Sequence, residues 1–275
     1  MARRSVDADV VVVGGGPAGA AAAIACATRG LRVILCERER LGRDRPGETV
    51  HPGIEPLMEQ LGVADRVAGT IGARHPGIWV EWGGPRRFEA FGGDASGPWR
   101  GLQLWRADFD ALLLARACEL GVKLRQPCAA TGVLMRDGML DGLQTAVGPI
   151  TTRIVVDASG QTRWLGRALE VASPARSMRL IARYGYMEGS CPLYDDAPSL
   201  VGDESGWTWT ALVRPKLYQM GATFIRRPAS LRLDAATPTR PDAPRAQPWS
   251  GRDLADDEQG GRSRMVHGRR RRGIA

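Results

Sequence analysis

Asp9-Val-Val-Val-Val-Gly-Gly-Gly-Pro-Ala-Gly19 decides how the first part of this chain folds. The four β-branched residues Val10–Val13 predict a strand that is buried on both faces, as in a parallel sheet. Gly14, Gly16 and Gly19 then give the spacing G-x-G-x-x-G where a strand passes into a helix. Such glycines allow a tight turn, a close backbone approach to a pyrophosphate, and close packing of helix on strand.

The residues that follow complete a βαβ unit. Pro17 suits the first turn of a helix, the alanine-rich run 18–28 predicts that helix, and Gly30 suits its C-terminal cap. The next strand, Leu31–Cys36, is followed by Glu37, which stands 18 residues after Gly19. A carboxylate there can accept both hydroxyls of an adenosine ribose, while the helix N-terminus holds the pyrophosphate. The unit therefore predicts dinucleotide binding. The alternative, a glycine-rich turn with a solvated Glu37, leaves this joint spacing unexplained.

The positive charge of the chain is concentrated in its last 50 residues. The 275 residues carry a formal net charge of +8, and twelve arginines against six acids lie from Arg226 onward. Hydrophobic periodicity is lost there, and Pro, Arg and Gly predominate, so we predict a disordered tail over 226–275. No aromatic interleaving or recognition module accompanies Arg262–Arg272, so a nucleic acid is not the expected partner.

Targeting and cysteine patterns are also informative. No run of 18 apolar residues and no signal-type segment occur, so we expect no membrane span and a cytoplasmic location.

The cysteines contain no C-x-x-C pair, which favours free thiols over a disulfide framework or a structural metal. They are Cys26, Cys36, Cys118, Cys128 and Cys191. His51, His75 and His267 are isolated, so the sequence identifies no catalytic base.

Two kinds of sequence pattern alternate along the chain. Segments of the first kind have helical spacing and buried strands, and segments of the second kind have short strands of alternating polarity with Gly-Gly pairs. The predicted fold is α/β, a Rossmann-like domain with a mostly parallel sheet and an interleaved antiparallel substrate sheet. The predicted segments are 5–70 (binding βαβ unit), 71–105 (substrate-region strands), 106–170 (binding domain, second part), 171–225 (incomplete substrate-region strands) and 226–275 (tail).

Four stretches together resemble one family. They are Gly14–Gly19 with Glu37, Pro46-Gly-Glu48, Arg106-Ala-Asp-Phe-Asp110 and Asp157-Ala-Ser-Gly160. Their order is similar to that in FAD-dependent monooxygenases of the p-hydroxybenzoate hydroxylase type, whose broader group includes flavin-dependent halogenases and geranylgeranyl reductases. The stretch 45–62 also resembles flavoproteins that modify quinone-cofactor amine oxidases. The resemblance covers about residues 7–220, and it implies FAD as the dinucleotide, with NAD(P)H as a possible reductant.

The resemblance also implies roles for particular residues. Arg38 would lie against the adenine, and Arg106 would reach the FAD phosphates or ribityl chain. Asp157 and Gly160 would lie on the ribityl or pyrophosphate side, and Glu48 would border the isoalloxazine. The pyrophosphate would be faced by Gly14, Gly16, Pro17, Ala18 and Gly19. The alternatives are a surface arginine at a helix start for Arg106 and a solvated loop acid for Glu48.

The activity implied is that of an FAD-dependent oxidoreductase. A monooxygenase that uses a flavin C4a-hydroperoxide on a small-molecule or peptidyl substrate is the leading hypothesis. Halogenation is an alternative, because Trp207-Thr-Trp-Thr resembles the Trp-x-Trp-x-Ile-Pro stretch of halogenases, although the Ile-Pro is missing. Those enzymes also need a lysine near the flavin, and Lys123 and Lys216 do not lie in the corresponding region.

A second alternative follows from a missing motif. The family carries a Gly-Asp pair at a helix start beyond the substrate region, where it holds the ribityl chain and the flavin ring. Gly202-Asp203 comes too early for that pair, and nothing after Arg226 supplies it. The sequence is therefore also compatible with a catalytically inactive, truncated flavoprotein that retains dinucleotide binding.

Overall fold

The computed structural model describes residues 5–40, 45–178, 180–225, 264–266 and 272–274. The α-helices are α1 (Pro17–Thr28), α2 (Ile54–Leu61), α3 (Arg106–Glu119) and α4 (Trp164–Ala168). Short 3₁₀ turns cover Ala64–Thr70, Gly160–Thr162 and Pro192–Tyr194. The strands are β1 (Ala8–Val13), β2 (Val33–Cys36), β3 (Glu48–Val50), β4 (Ile71–His75), β5 (Gly77–Trp82), β6 (Arg87–Ala90), β7 (Gly93–Asp94), β8 (Gly97–Pro98), β9 (Gly101–Leu104), β10 (Lys123–Arg125), β11 (Ala130–Arg136), β12 (Met139–Thr145), β13 (Gly148–Asp157), β14 (Leu180–Glu188), β15 (Ser199–Asp203), β16 (Gly206–Arg214), β17 (Leu217–Ile225), β18 (Arg264–Val266) and β19 (Arg272–Ile274).

The valine strand lies at the centre of the first sheet. This six-stranded sheet has the order β10-β2-β1-β13-β12-β11. Strand β1 pairs in parallel with β2 on one side and with β13 on the other. The β12–β11 hairpin closes one edge and turns at Asp137-Gly138, where both residues have positive φ angles of 50° and 76°. The predicted parallel sheet is confirmed, and the hairpin turn has the positive φ angles typical of a two-residue turn.

Alternate residues of β1 face two different apolar clusters. Val10 and Val12 pack with Ala20, Ala23 and Ile24 of α1, in a cluster that also includes Leu113 of α3. Ala8, Val11 and Val13 pack on the opposite face, where Ile34, Leu143 and Ile150 surround them. Each fully buried valine contributes on the order of 1.5–3 kcal/mol of hydrophobic free energy. This double burial fixes the end of β1, from which the glycine turn leaves.

The second sheet is assembled from two separated segments of the chain. Strands β5 and β6 join β14–β17 in the order β14-β17-β16-β15-β5-β6, as the predicted interleaving requires. Most of its pairs are antiparallel, and β15 with β5 is parallel. A smaller sheet with the order β3-β9-β4 is built from strands on both sides of β5 and β6 in sequence, and the sequence did not predict it.

The C-terminal segment is described only at two short strands. β18 and β19 both pair antiparallel with β14. The rest of the predicted disordered tail, 226–263, 267–271 and 275, lies outside the described residues. Among the helices that are described, none combines the length and the hydropathy that crossing a membrane requires.

Candidate dinucleotide-binding site

A cleft of about 570 Å³ opens at the carboxyl end of the first sheet, where β1 passes into α1. It brings together predicted site residues from several separated stretches. They are Gly14, Gly16, Pro17, Ala18, Glu37, Arg38, Arg106 and Gly160. Ligands of open α/β sheets bind at this edge, outside the carboxyl ends of the strands. The cleft is therefore the candidate site.

The glycine turn leaves no room for side chains. Gly14 has a φ of +109°, and a Cβ there would lie 2.3 Å from the carbonyl oxygen of Ala158. A Cβ on Gly19 would lie 1.9 Å from the carbonyl oxygen of Gly14. Gly19 thus packs α1 against the turn and is not among the described lining residues. A direct FAD contact for Gly19 stays a prediction, whereas its predicted packing role is observed.

Helix α1 points its N-terminus at the cleft. Its N-cap is Gly16, which has no side chain to bond the first amides, and its first turn contains no acidic residue. The first amides of a helix lack intrahelical acceptors, and the helix dipole favours an anion beside them. A pyrophosphate would supply the missing acceptors.

The Glu37 carboxylate joins β2 to the glycine turn. Only 3% of this residue is exposed. One oxygen, Oε2, accepts a hydrogen bond of 2.6 Å from the amide of Gly15, and Oε1 accepts one of 2.8 Å from the amide of Glu39. The side chain lines the cleft at the same time. The predicted ribose acid is therefore held in a fixed orientation by the protein itself.

Three arginines line the cleft. Arg106 begins α3, is only 14% exposed, and bonds Asp110 at 2.9 Å through its Nε. Arg38 and Arg45 each approach Glu39, at 3.5 and 3.6 Å respectively. Arg106 is thus not the surface arginine of the alternative interpretation. Arg45 is not among the predicted site residues, although its place just before Pro46-Gly-Glu48 was an available signal.

Asp157 has a different environment from the one expected. It is absent from the described lining, and its carboxylate accepts hydrogen bonds from the amides of Ser159 at 3.0 Å and Leu165 at 2.9 Å. Burial alone would raise the pKa of Asp157, but the bonds from Ser159, Leu165 and Gly166 outweigh it and lower that pKa. Asp157 holds the loop that presents Gly160. Direct contact of Asp157 with FAD stays a prediction.

Glu48 can be placed only by its backbone. It opens β3 and pairs with Leu104 of β9. Its side chain lies outside the described part of the structure, so its role beside the isoalloxazine also stays a prediction.

The cleft includes residues that the sequence analysis did not assign to it. They are Val13, Cys36, Arg45, Pro46, Cys128, Ala129, Ala130, Ala158, Ser159, Gln161, Thr162, Trp164, Ala182 and Tyr184. Cys128 is brought there by its amide, which donates a 2.6 Å hydrogen bond to the Glu37 carbonyl oxygen. Ala182 and Tyr184 come from β14 of the second sheet. No local motif marks Cys128, Ala182 or Tyr184, because their place in the cleft depends on how distant strands pair.

The chemical groups that line the cleft are suited to binding FAD. Open glycine backbone and helix amides offer donors, and the three arginines add positive charge for a pyrophosphate. Glu37 offers carboxylate oxygens for ribose hydroxyls. Among the described lining residues Glu37 is the only acid, so an anionic dinucleotide meets net positive charge.

Fold and cleft together are those of the FAD-dependent oxidoreductase family. Residues 9–168 match the family model described as FAD dependent oxidoreductase, and the chain belongs to that family. Residues 93–272 match the model described as tryptophan halogenase, which places the chain in the flavin-dependent halogenase family.

Individual relatives agree with this assignment. A 1H-pyrrole-2-carbonyl-[peptidyl-carrier protein] brominase of Pseudoalteromonas luteoviolacea is 27% identical over 223 residues, which cover 78% of this chain and 54% of the brominase. A tryptophan 2-halogenase of Chondromyces crocatus is 27% identical over 234 residues, 77% of this chain and 42% of that enzyme. The chain thus spans about half the length of these relatives.

Solved structures show the same fold. The myxobacterial chondrochloren halogenase CndH superposes with a TM-score of 0.70 at 27% identity, covering 80% of this chain and 53% of that one. A flavin-dependent brominase gives a TM-score of 0.70 at 24% identity, covering 80% and 56%, and supports the fold alone. The expected membership of the FAD-dependent oxidoreductase family is confirmed. The comparisons support the halogenase alternative more closely than the p-hydroxybenzoate hydroxylase type.

Proposed function

We propose that this chain binds FAD in the cleft and works as a flavin-dependent halogenase on a small-molecule or carrier-protein-bound substrate. The observation that carries the proposal is the glycine turn and α1 N-terminus facing arginines, in a chain that belongs to the halogenase family. The carrier-bound substrate class is suggested by the brominase relative, whose name specifies a peptidyl-carrier protein.

The described residues divide the binding of FAD among them. The amides at the start of α1 and the Arg106 guanidinium bind the pyrophosphate, because both offer N–H donors beside positive charge. Glu37 accepts the ribose hydroxyls, and its bond to Gly15 fixes the orientation of the carboxylate. Arg38 lies against the adenine. Bound FAD, once reduced, supplies the activation of O₂ that oxidises a halide.

Aromatic side chains form part of the wall of the cleft. Trp164 and Tyr184 line it from different parts of the chain. Tyr186, next on the same face of β14, packs its ring 5.3 Å from that of Trp105, and its hydroxyl donates a 3.0 Å bond to the Arg45 carbonyl oxygen. This contact anchors the second sheet to the arginine loop of the cleft.

A second candidate function is FAD-dependent oxidation without halide chemistry, such as oxygenation. It is favoured by the positions of the two lysines of the chain, Lys123 and Lys216. Both are exposed, and neither is among the described lining residues. The resemblance to halogenases implies a lysine amine near the flavin, and neither lysine supplies one in the described cleft. A direct reaction with NAD(P)H belongs to this second candidate; a halogenase would receive reduced flavin from a separate reductase.

One assay separates the two candidates. The purified chain is supplied with FAD, a separate NAD(P)H-dependent flavin reductase, O₂, bromide, and free or carrier-bound indoles and pyrroles. A product with the isotope doublet of one bromine supports halogenation. A product that gains oxygen, with or without bromide, supports the second candidate. Unchanged substrate in the presence of FAD-loaded chain contradicts both, and the reaction without chain controls for chemistry of free reduced flavin.

A further inference from the structure

Two cysteines meet inside the cleft. Cys36 is the last residue of β2, and Cys128 lies in the short connection between β10 and β11. Because β10 pairs with β2, Arg125 stands opposite Cys36, and the amide of Cys128 bonds the carbonyl of Glu37. The two side chains therefore come from adjacent backbone segments and point into the same space.

Both cysteines belong to the same buried apolar cluster. They are nearly fully buried, at 1% and 2% exposure, yet both line the cleft. Simple filling of the core explains burial of one small apolar side chain, but it does not require two thiols in one cluster at the wall of a ligand site.

The environment of Cys36 keeps its thiol protonated. Burial, supported by the neighbouring Cys128 and opposed by the Arg125 charge, raises the pKa of Cys36 to about 12. A protonated thiol is a poor nucleophile, so oxidation starting at Cys36 is slow without a strong or concentrated oxidant.

We propose that Cys36 and Cys128 form a two-electron oxidation site in which a peroxide joins the sulfurs, and that a bound adenine nucleotide shields this site. The sulfur of one cysteine attacks the peroxide O–O bond, becomes a sulfenic acid and releases water. The other thiol then attacks that sulfur, which forms the S–S bond and expels a second water. The peroxide is reduced, and the two thiols supply both electrons and both protons.

Geometry supports the second step. A disulfide needs an S–S bond of about 2.05 Å between cysteines on closely spaced backbone segments. Thiols on adjacent, hydrogen-bonded backbone segments in one buried cluster need only a local movement to meet. Shielding follows from location, because the sulfurs share the cleft with Glu37 and Arg38, where adenosine is placed by the proposed function. The oxidation itself does not depend on that function.

The test uses the full reduced chain, treated with hydrogen peroxide in the presence or absence of ADP. Remaining thiols are blocked with N-ethylmaleimide in denaturant, and the unreduced protein is digested with trypsin. We expect one cross-linked product that joins the peptides 33–38 and 126–136, formed at least several-fold more slowly with saturating ADP. Cys118→Ser, at an exposed cysteine, leaves this product unchanged, and Cys36→Ser or Cys36→Ala abolishes it.

Two results would overturn the inference. If Cys36 and Cys128 are still fully alkylated by N-ethylmaleimide after the peroxide treatment while exposed Cys118 is oxidised, the pair is not an oxidation site. If calorimetry shows that ADP binds but the cross-link forms at the same rate, the shielding is wrong. If ADP does not bind at all, the adenosine assignment of the proposed function fails. The tryptic peptides of the wild-type chain still show whether Cys36 and Cys128 become cross-linked, even if the cysteine variants do not fold.

Discussion

The Oε2 atom of Glu37 accepts a 2.6 Å hydrogen bond from the amide of Gly15, so the acid that ends the second strand holds the middle of the glycine turn. A Cβ on Gly15 would lie 3.0 Å from the Cβ of Glu37, which shows how closely the two backbones approach. The carboxylate is thus part of the folded framework before any ligand binds. Binding and stability are linked through one side chain.

The first prediction concerns this carboxylate. Glu37→Ala should weaken FAD binding by about 1–3 kcal/mol and also lower the free energy of unfolding by about 1–3 kcal/mol, because buried amides lose their acceptor. Titration calorimetry and denaturant unfolding measure the two effects. Glu119→Gln, at an exposed acid that pairs with Arg66, should change neither by more than about 1 kcal/mol. A loss of stability without any loss of FAD affinity would make Glu37 purely structural.

The second prediction compares two glycines with positive φ. Gly14→Ala combines a φ of +109° with a contact of 2.3 Å to the Ala158 carbonyl oxygen, whereas Gly30→Ala at +77° meets nothing within 4 Å. Gly30→Ala should cost about 1 kcal/mol of stability from backbone strain. Gly14→Ala should cost clearly more and abolish measurable FAD binding. Equal effects of the two variants on thermal unfolding would argue against the close approach of the turn to Ala158.

The third prediction separates structure from binding at Arg106. Arg106→Met alone should cost about 3–5 kcal/mol, because it leaves the buried Asp110 carboxylate without its arginine. The double variant Arg106→Met, Asp110→Leu should regain most of this stability but still bind FAD weakly, since the phosphate contact is gone. The exposed pair Arg66–Glu119 is the matched control, with a coupling of about 0–1 kcal/mol. Full FAD affinity in the stable double variant would remove Arg106 from the site.

The fourth prediction is a pH dependence that originates at His75. Its Nδ1 donates to the Gly77 carbonyl oxygen at 2.8 Å, and its Nε2 accepts from the Gln103 amide at 3.0 Å, whose oxygen accepts from Thr49. Burial lowers the pKa of His75, although the bond to Gly77 opposes this. The unfolded chain therefore takes up this proton first, so stability falls as pH drops below about 6.5, by at most about 1.4 kcal/mol per pH unit.

The measurement is the free energy of unfolding between pH 7.5 and 5.5. His75→Gln should flatten the slope in this window, although its absolute stability is lower. His51→Gln, at an exposed histidine, should keep the slope of the parent chain. An unchanged slope in His75→Gln would mean that another group causes the dependence.

Local patterns predicted much of this fold and part of the site. The helix Pro17–Thr28 and the buried strand β1 follow from patterns within single segments. The glycine turn and Glu37 follow from a motif contained in one βαβ unit. The β3-β9-β4 sheet was not predicted, because Glu48–Val50 is too short to give a periodic signal and its partner lies about fifty residues away. Cys128 and Tyr184 reach the cleft through long-range pairing alone.

The environment of Asp157 could not be predicted for a related reason. A motif indicates that an acid lies near the cofactor, but it does not distinguish contact with the ligand from support of the loop beside it. Only the bonds from Ser159 and Leu165 make that distinction.

The most direct test of the account is the stoichiometry of FAD binding to the purified chain. Absorbance of the protein after gel filtration, together with calorimetry, gives the number of FAD molecules bound per chain and the effect of ADP as a competitor. The account predicts one FAD per chain, displaced by ADP, and no binding by Gly14→Ala. A folded chain that binds neither FAD nor ADP would contradict it.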